Sequence, residues 1–326
     1  MSDQNTGTAK KPIGELLQSA NRTFLYFILF LVVSLSLVVT QIRKVEVPTR
    51  PEAYTIEAYK ILRNVPPGGV VIVDTGFTNS SRGENGGQME ALLRILMRSG
   101  AKFAVLSWVE PQCIEIARGF IRTINEERKA AGEAPYREWE DYLILGFFPD
   151  GPTMLQTVHQ NVREAWKTRQ ATDPSTGEKK SVFESPVLRN VQKIEDVYAY
   201  VTLSASGTMP TIVARIGQQV KVISMITGVM FPEQLNYFKS GQLKGLVNGL
   251  SGCVELEWLM EKGIDSAGVV GGDAPGKPLA AAFKGAKNFD RGMAYYLALH
   301  SALSLLILAV AVGNIGMWLT NRSKKR

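Results

Sequence analysis

The chain has 326 residues, 45% hydrophobic and 21% charged, which is enough for one large domain or two small ones with a substantial core. The net charge is +7, but the part between two long apolar segments holds 30 basic and 28 acidic residues without a clustered basic stripe. We therefore expect no nucleic-acid partner. The two cysteines, Cys113 and Cys253, exclude a disulfide-rich scaffold, and they could form one disulfide or remain free thiols.

Two apolar segments are long enough to cross a membrane. Phe24–Ile42 is uncharged and would span about 28 Å as a helix, and Arg43 and Lys44 follow it in place of a signal-peptide cleavage site. Ala294–Leu319 is also uncharged and carries aromatic residues at its ends. We therefore predict two uncleaved transmembrane helices and a lipid bilayer as a partner.

The orientation of these helices follows from their flanking charges. The basic tail Arg322–Arg326 favours a cytoplasmic C-terminus, which places both tails inside and residues 43–293 outside. The basic residues at 43–50 and 284–291 favour the opposite orientation. Because long translocated domains are governed less by charge than short loops are, we expect residues 43–293 to be extracytoplasmic.

The intervening chain alternates strand-like and helix-like patterns. After a predicted helix at Ala53–Arg63, short and nearly continuous apolar runs indicate parallel strands covered on both faces. These predicted strands are Val70–Val73, Phe103–Trp108, Tyr142–Phe148, Val197–Leu203 and Val220–Ile226. The predicted helices between them are Gln88–Arg98, Pro111–Lys129, Pro152–Thr168 and Thr208–Gln218. The alternation predicts an α/β, Rossmann-like fold: a mostly parallel sheet of about five strands with helices on both faces, flanked by two transmembrane helices.

The same patterns predict how the chain divides into segments. A turn-rich surface loop is expected within Gln170–Glu195. The predicted segments are an N-terminal tail (1–23), transmembrane helix (24–42), linker and helix (43–69), α/β domain (70–262), Gly/Ala/Lys-rich juxtamembrane linker (263–293), second transmembrane helix (294–319) and basic tail (320–326).

Glycines recur at intervals of four, four and three residues after the last predicted strand. On a helix they would form one bare stripe, which needs a compensating close contact because glycine destabilises helix interiors. That contact could lie within the domain or with another subunit. A small-xxx-small pair in the second transmembrane segment would also allow close helix packing. We expect these residues to contribute to a homo-oligomer or to contacts with other membrane subunits: Gly241, Gly245, Gly249, Gly252, Ala309 and Gly313.

Polar loops follow the predicted strands. Because the carboxyl ends of parallel strands meet at one edge of a sheet, their side chains could line a common cleft. The candidate ligand-binding residues are Asp74, Thr75, Thr78, Trp108, Ser204 and Thr208. The candidate catalytic residues are Asp74, Glu110, Asp150 and Ser206. The segment Ser204–Thr208 could hold an anion at a helix N-terminus or serve as an ordinary N-cap.

The motif Asp74-Thr75-Gly76-Phe77-Thr78 resembles the metal-site motif of von Willebrand factor A-type domains, Asp-x-Ser-x-Ser after the first strand of a Rossmann-like sheet. The resemblance covers five residues and implies Asp74 and Thr78 as weak candidate ligands of a divalent metal. Gly76 departs from the pattern because it lacks the hydroxyl group of the second ligand. No other cofactor is expected. Gly271–Pro278 has the glycine and lysine spacing of a P-loop, but Pro278 replaces the required Ser or Thr.

These patterns contain no complete catalytic constellation. We therefore expect a non-enzymatic, membrane-anchored binding or scaffolding module within a larger membrane assembly. One alternative is a membrane-bound hydrolase or transferase with its site at the strand-end loops around Asp74. Another is a sensor that binds a small ligand.

Overall fold

The computed structural model describes residue 19 and residues 21–42, 50–264 and 291–324. The chain forms two compact units, Pro48–Gly292 and the pair of terminal segments Met1–Val47 and Met293–Arg326. Residues 265–290, which hold most of the predicted juxtamembrane linker and the P-loop-like segment, lie outside the described residues. The same applies to residues 1–18 of the N-terminal tail and to the end of the basic tail.

The α/β unit is organised around one six-stranded parallel sheet. The strands are β1 (Val70–Gly76), β2 (Lys102–Ser107), β3 (Tyr142–Phe147), β4 (Gln170–Thr172), β5 (Lys179–Ser181), β6 (Ala199–Ser204), β7 (Val222–Ile226) and β8 (Gly245–Asn248). The sheet has the strand order β3-β2-β1-β6-β7-β8. A separate antiparallel hairpin is formed by β4 and β5. The predicted parallel sheet with surrounding helices is confirmed, with one more strand than expected.

Helices cover both faces of this sheet, because successive strand residues point to opposite sides and both sides are apolar. The helices are α1 (Arg22–Ile42), α2 (Ala53–Arg63), α3 (Arg82–Ser99), α4 (Gln112–Ala130), α5 (Gly151–Gln160), α6 (Val162–Ala165), α7 (Met209–Ile216), α8 (Phe231–Lys239), α9 (Gly249–Lys262) and α10 (Arg291–Lys324). Val71 and Val73 share one apolar core with α2, α3, α4 and α9, and Val70 and Ile72 share the other with α5, α6 and α7.

The helix predicted at Pro152–Thr168 is divided in two. Asn161 has an extended backbone between α5 and α6, and its side chain accepts a hydrogen bond from the Glu164 N–H. An asparagine at this position competes with the helix for backbone groups and begins a new helix instead. The predicted surface loop within Gln170–Glu195 contains the β4–β5 hairpin, whose turn is bound by the Asp173 carboxylate.

The prediction that four glycines form a stripe on one helix is wrong. Gly241 lies in a loop, Gly245 begins β8, and Gly249 and Gly252 belong to α9. The bare positions accommodate close contacts inside the domain. A Cβ atom on Gly245 would lie 2.6 Å from the Ala58 Cα in α2, and one on Gly252 would lie 2.7 Å from the Val247 side chain. The helical stripe that suggested a role for these glycines in assembly is therefore absent from the described structure, and that role remains a prediction.

The terminal unit contains the two helices that are long and apolar enough to cross a membrane, Arg22–Ile42 and Ala294–Ser323. The Ser36 and Ser301 hydroxyl oxygens of these helices lie 2.9 Å apart, at hydrogen-bond distance. Large apolar side chains such as Phe30, Leu35 and Ile307 are exposed. An apolar exterior with a polar pair between helices is the pattern expected of membrane-spanning segments.

Candidate functional site

The centre of the sheet is a topological switch point. Along the chain, β2 and β3 are added on one side of β1, whereas β6, β7 and β8 are added on the other. The loops that leave the carboxyl ends of β1 and β6 therefore diverge, and open α/β sheets bind ligands in the crevice between such loops. Asp74 lies near the end of β1, and Ser204 ends the neighbouring β6.

Asp74 is a buried carboxylic acid at this switch point. Its side chain is 2% exposed, and its Oδ2 accepts a hydrogen bond of 2.7 Å from the Trp108 Nε1–H group. The other oxygen, Oδ1, is buried and accepts no hydrogen bond within the described part of the chain, although the Thr202 hydroxyl and the buried Tyr200 hydroxyl, which also makes no hydrogen bond, lie close enough to favour the charged form of Asp74. A buried acceptor without a partner is costly, about 1–3 kcal/mol, and is uncommon in folded proteins.

Asp74 begins a short row of polar side chains across one face of the sheet. The strand register places it beside Thr202 of β6, and Thr202 beside Ser224 of β7. All three residues are at most 2% exposed, and the Ser224 hydroxyl group donates a hydrogen bond to the buried Gln234 of α8. The covered faces of parallel strands are normally apolar, so a polar row here needs a specific explanation.

Burial governs the acidity of this group. Removal from water raises the Asp74 pKa from 3.8 to about 7. The hydrogen bond from Trp108 opposes this shift, as do the nearby hydroxyl groups of Tyr200 and Thr202, because they favour the charged form. Both protonation states of Asp74 are therefore populated near neutral pH. Perturbed carboxylic acids in crevices are common at functional sites.

Trp108 covers Asp74, and Gly151 makes this position possible. A Cβ atom on Gly151 would lie 1.7 Å from the Trp108 Cε3 atom, so the indole ring rests directly on the first residue of α5. Trp108 itself is only partly buried. A side chain of this kind separates Asp74 from solvent while remaining accessible from outside.

The other carboxylates predicted at this edge have different environments. Asp150 is exposed and accepts a hydrogen bond from the Thr153 N–H at the start of α5, which lowers the Asp150 pKa. Glu110 is partly buried and lies in a tight loop in which its main chain is bonded to the Ser107 hydroxyl. The structure therefore gives the three predicted carboxylates separate environments, with only Asp74 fully buried.

The predicted hydroxyl residues are bonded elsewhere. Thr75 donates to the Leu106 carbonyl, and Thr78 is exposed, with its hydroxyl 2.6 Å from that of Ser80. Ser204, Ser206 and Thr208 are hydrogen-bonded to one another in the loop after β6. Of the predicted ligand-binding residues, hydrogen bonds thus join Trp108 to Asp74 and Thr208 to Ser204.

The described part of the chain contains no group of three or more His, Cys, Asp or Glu side chains that could hold a metal ion. The hydroxyl group of Thr78, a weak candidate ligand, is bonded to Ser80. Cys113 and Cys253 are both buried, and the structure shows no disulfide bond between them.

Four polar residues of this region were not among those predicted from the sequence: Tyr200, Thr202, Ser224 and Gln234. A signal for part of this set was present, because Tyr200, Thr202 and Ser204 alternate with Ala199, Val201 and Leu203 along β6. A period of two places the polar side chains on one face.

The fold and site thus define a parallel α/β domain with a buried acid at its switch point, in a chain that also has two candidate membrane helices. None of the family models, curated proteins or solved structures compared with the chain matches it.

Proposed function

We propose that this chain is a membrane-anchored α/β binding module whose domain takes up a small polar ligand at the carboxyl ends of β1 and β6. The observation that supports this proposal most directly is the buried, unpartnered Oδ1 of Asp74 at the switch point. Binding energy from a ligand would compensate a group that otherwise only reduces stability.

The chemistry of the site restricts the ligand. In the ionised form of Asp74, Oδ1 accepts a hydrogen bond, so the ligand would offer a donor such as a hydroxyl, an amide N–H or, best of all, a cationic amine. In the protonated form Oδ1 can carry the acid proton, and the ligand would then offer an acceptor. Trp108 must turn away to admit the ligand, and its ring would then be available to pack against an apolar part of it.

The two candidate membrane helices support the anchoring part of the proposal. They lie in one compact unit and approach each other through Ser36 and Ser301. We further propose that the module works within a homo-oligomer or with other membrane subunits, because the exposed apolar side chains of both helices suit either lipid or neighbouring helices.

The proposed orientation places both tails in the cytoplasm and residues 43–293 outside. We expect a membrane-impermeant maleimide to label Lys179→Cys in intact cells and to label Ser323→Cys only after lysis. Both positions are exposed, and both native cysteines are buried, so background labelling should be low. Labelling of Ser323→Cys but not of Lys179→Cys in intact cells would reverse the orientation.

Native mass spectrometry tests the ligand site. We expect the full-length protein, purified from its own membrane in mild detergent, to carry a bound small molecule that Asp74→Asn loses. Asn keeps the size of Asp74 but replaces one acceptor oxygen with an amide, so it removes the feature on which the proposal depends. Asp196→Asn, at a surface carboxylate that binds the Gln192 and Lys193 N–H groups, is the control and should retain the ligand.

The same spectra separate the competing readings. Wild-type protein without any bound small molecule, or an identical bound mass in Asp74→Asn, would contradict the ligand proposal. A fixed mass of a multimer or of additional subunits would support the proposed assembly, and a monomer would contradict it.

Acid–base catalysis is a second candidate function. It is favoured by the buried position of Asp74 together with its pKa of about 7, since a group that titrates near neutral pH can both accept and donate a proton. An enzyme that uses Asp74 would leave Asp74→Asn with its unconverted substrate bound. A bound mass in the variant that differs from that in the wild type would therefore favour catalysis over simple binding.

A further inference from the structure

We infer that Tyr200 is a second ligand-contacting residue beside Asp74, and that together they select a neutral compound with two adjacent hydroxyl groups. The ligand is the one proposed above to bind at the carboxyl ends of β1 and β6. This assignment therefore rests on the proposed function and deepens it, by naming a further side chain and the chemical class of the ligand.

The first observation is a second buried polar group without a partner. Tyr200 is 1% exposed, and its hydroxyl group makes no hydrogen bond within the parts of the chain that the structure describes. Burial, followed by the neighbouring Asp74, holds the Tyr200 pKa well above its ordinary value of 10, so the hydroxyl group keeps its proton. Tyr200 is therefore a hydrogen-bond donor without an acceptor in the described domain.

The second observation is that Tyr200 and Asp74 face the same place. Tyr200 pairs with Ile72 in the β1–β6 register, two positions before Asp74. Side chains two positions apart on a strand share a face, so Tyr200 lies diagonally across from Asp74, within the reach of an aromatic side chain. The Tyr200 hydroxyl is close enough to the Asp74 carboxyl group and to the Trp108 indole N–H for each to shift the Tyr200 pKa.

A donor and an acceptor thus lie together without satisfying each other. Asp74 Oδ1 and the Tyr200 hydroxyl are each without a hydrogen bond, so they are not bonded to one another. A single O–H group of a ligand, placed between them, would accept from Tyr200 and donate to the ionised carboxylate. One atom of the ligand would then compensate both buried groups.

The two protonation states of Asp74 favour a hydroxyl group over other polar groups. Because the Asp74 pKa is about 7, Oδ1 meets the ligand both as an acceptor and as a carrier of the acid proton near neutral pH. An ammonium group only donates and would leave the Tyr200 proton without an acceptor, and a carbonyl group only accepts. A hydroxyl group does both, so it suits either state of Asp74.

The second hydroxyl group of the ligand follows from Trp108. The indole N–H donates to Asp74 Oδ2 at 2.7 Å, and this hydrogen bond is lost when the ring turns away to admit the ligand. A hydroxyl group on the adjacent carbon of the ligand would replace it, because the two oxygens of one carboxylate can receive a pair of neighbouring donors. The C–H groups of such a compound would pack against the indole ring.

Native mass spectrometry of the full-length protein, purified in mild detergent without glycerol or sugars, tests the role of Tyr200. The probe is the compound released from the wild type, returned in a concentration series to dialysed protein. Phe keeps the ring and removes the hydroxyl group, so we expect Tyr200→Phe to bind about tenfold more weakly. Tyr136→Phe is the matched control. Tyr136 belongs to the other apolar core and donates to the Ala101 carbonyl oxygen at 3.1 Å, so this variant should bind as the wild type does.

Urea unfolding of the dialysed proteins separates this role from a structural one. At pH 5, where Asp74 is protonated, Tyr200→Phe should unfold at the same urea concentration as the wild type or a higher one, because its lost hydroxyl was unpartnered. Tyr136→Phe should unfold at a lower concentration, because it loses a hydrogen bond. A destabilised Tyr200→Phe that binds the compound as tightly as the wild type would overturn the inference.

Periodate tests the chemical class of the ligand. It cleaves the carbon–carbon bond between adjacent hydroxyl groups, so the compound released from the wild type should be cleaved. A cationic or periodate-resistant compound that Asp74→Asn loses would overturn the assigned class and leave the proposed ligand site intact. Wild-type protein without a bound compound, or with one that Asp74→Asn retains, would contradict the proposed function and this inference together.

Discussion

Asp74→Asn is expected to raise the stability of the α/β domain at pH 8 and to change it little near pH 4. The folded-state pKa of Asp74 is raised from 3.8 to about 7, so the folded state retains a proton that the unfolded chain releases. The contribution of the neutral acid to stability is full below pH 3.8 and is lost as the pH rises toward 7. Asn mimics the neutral acid at every pH.

The size of this effect follows from the shift in pKa. One pKa unit corresponds to about 1.4 kcal/mol, so the shift allows a gain of up to about 4 kcal/mol for Asp74→Asn at pH 8. For a domain of this size that gain is roughly 10 °C in unfolding temperature. Unfolding curves of both proteins between pH 4 and 9 measure it. Other groups, such as Glu255, titrate in both proteins and cancel in the difference.

Two further variants make this test specific. Trp108→Phe removes the hydrogen bond that favours ionised Asp74, so the Asp74 pKa should rise further and the loss of stability should extend to higher pH. Asp150→Asn, at an exposed N-cap whose pKa is lowered, should not stabilise the domain at pH 8. Parallel stability–pH curves for the wild type and Asp74→Asn would contradict the assignment of a buried, proton-binding Asp74.

A stabilising result would also bear on function. A buried acid that lowers stability at neutral pH is typical of a residue retained for binding or chemistry, especially when replacing it with its isostere restores that stability. The same variant is expected to lose the bound small molecule. Greater stability together with lost binding would separate a functional role of Asp74 from a structural one.

Gly245→Ala is expected to destabilise the domain by about 3 kcal/mol or more. The new Cβ atom would lie 2.6 Å from the Ala58 Cα and 2.8 Å from its backbone N, so α2 must move away from β8. The backbone of Ala58 cannot move aside as the end of a flexible side chain could, and Gly245 and Ala58 are both buried. Urea unfolding of the variant beside the wild type measures the change.

Gly119→Ala is the matched control for this prediction. Gly119 lies in α4 with open space around it, so alanine should leave stability unchanged or raise it by roughly 0.5–1 kcal/mol. The oligomeric state in mild detergent separates the two roles considered for Gly245. Internal packing predicts a less stable protein with the same assembly, whereas a subunit contact predicts a stable protein whose assembly is weakened.

Local patterns were sufficient for most of the fold. Apolar runs such as Val70–Val73 and Tyr142–Phe148 lie within or overlap observed strands, and the two long uncharged segments are helices. These features depend on near neighbours in the sequence, because strand and helix periodicities are written into short windows of residues. The predicted loop edge at the ends of the strands also follows from parallel topology alone.

The four-residue strand Gly245–Asn248 could not be predicted in this way. Glycine is poor in strands and in helices, and its spacing suggested a helix. Ala58, which is 187 positions away in sequence, approaches this strand so closely that only a residue without a side chain fits at position 245. Tertiary packing therefore decided the sixth strand.

Some features of the candidate site follow from the sequence, and others depend on the tertiary structure. The sequence by itself placed Asp74 directly after the first predicted strand and Trp108 at the end of the second. Only the tertiary structure placed the Trp108 indole on the Asp74 carboxylate and aligned Thr202 and Ser224 beside it. The physical reason is that sheet register and burial arise between strands far apart in the chain, and it is burial that raises the Asp74 pKa and leaves its second oxygen without a partner.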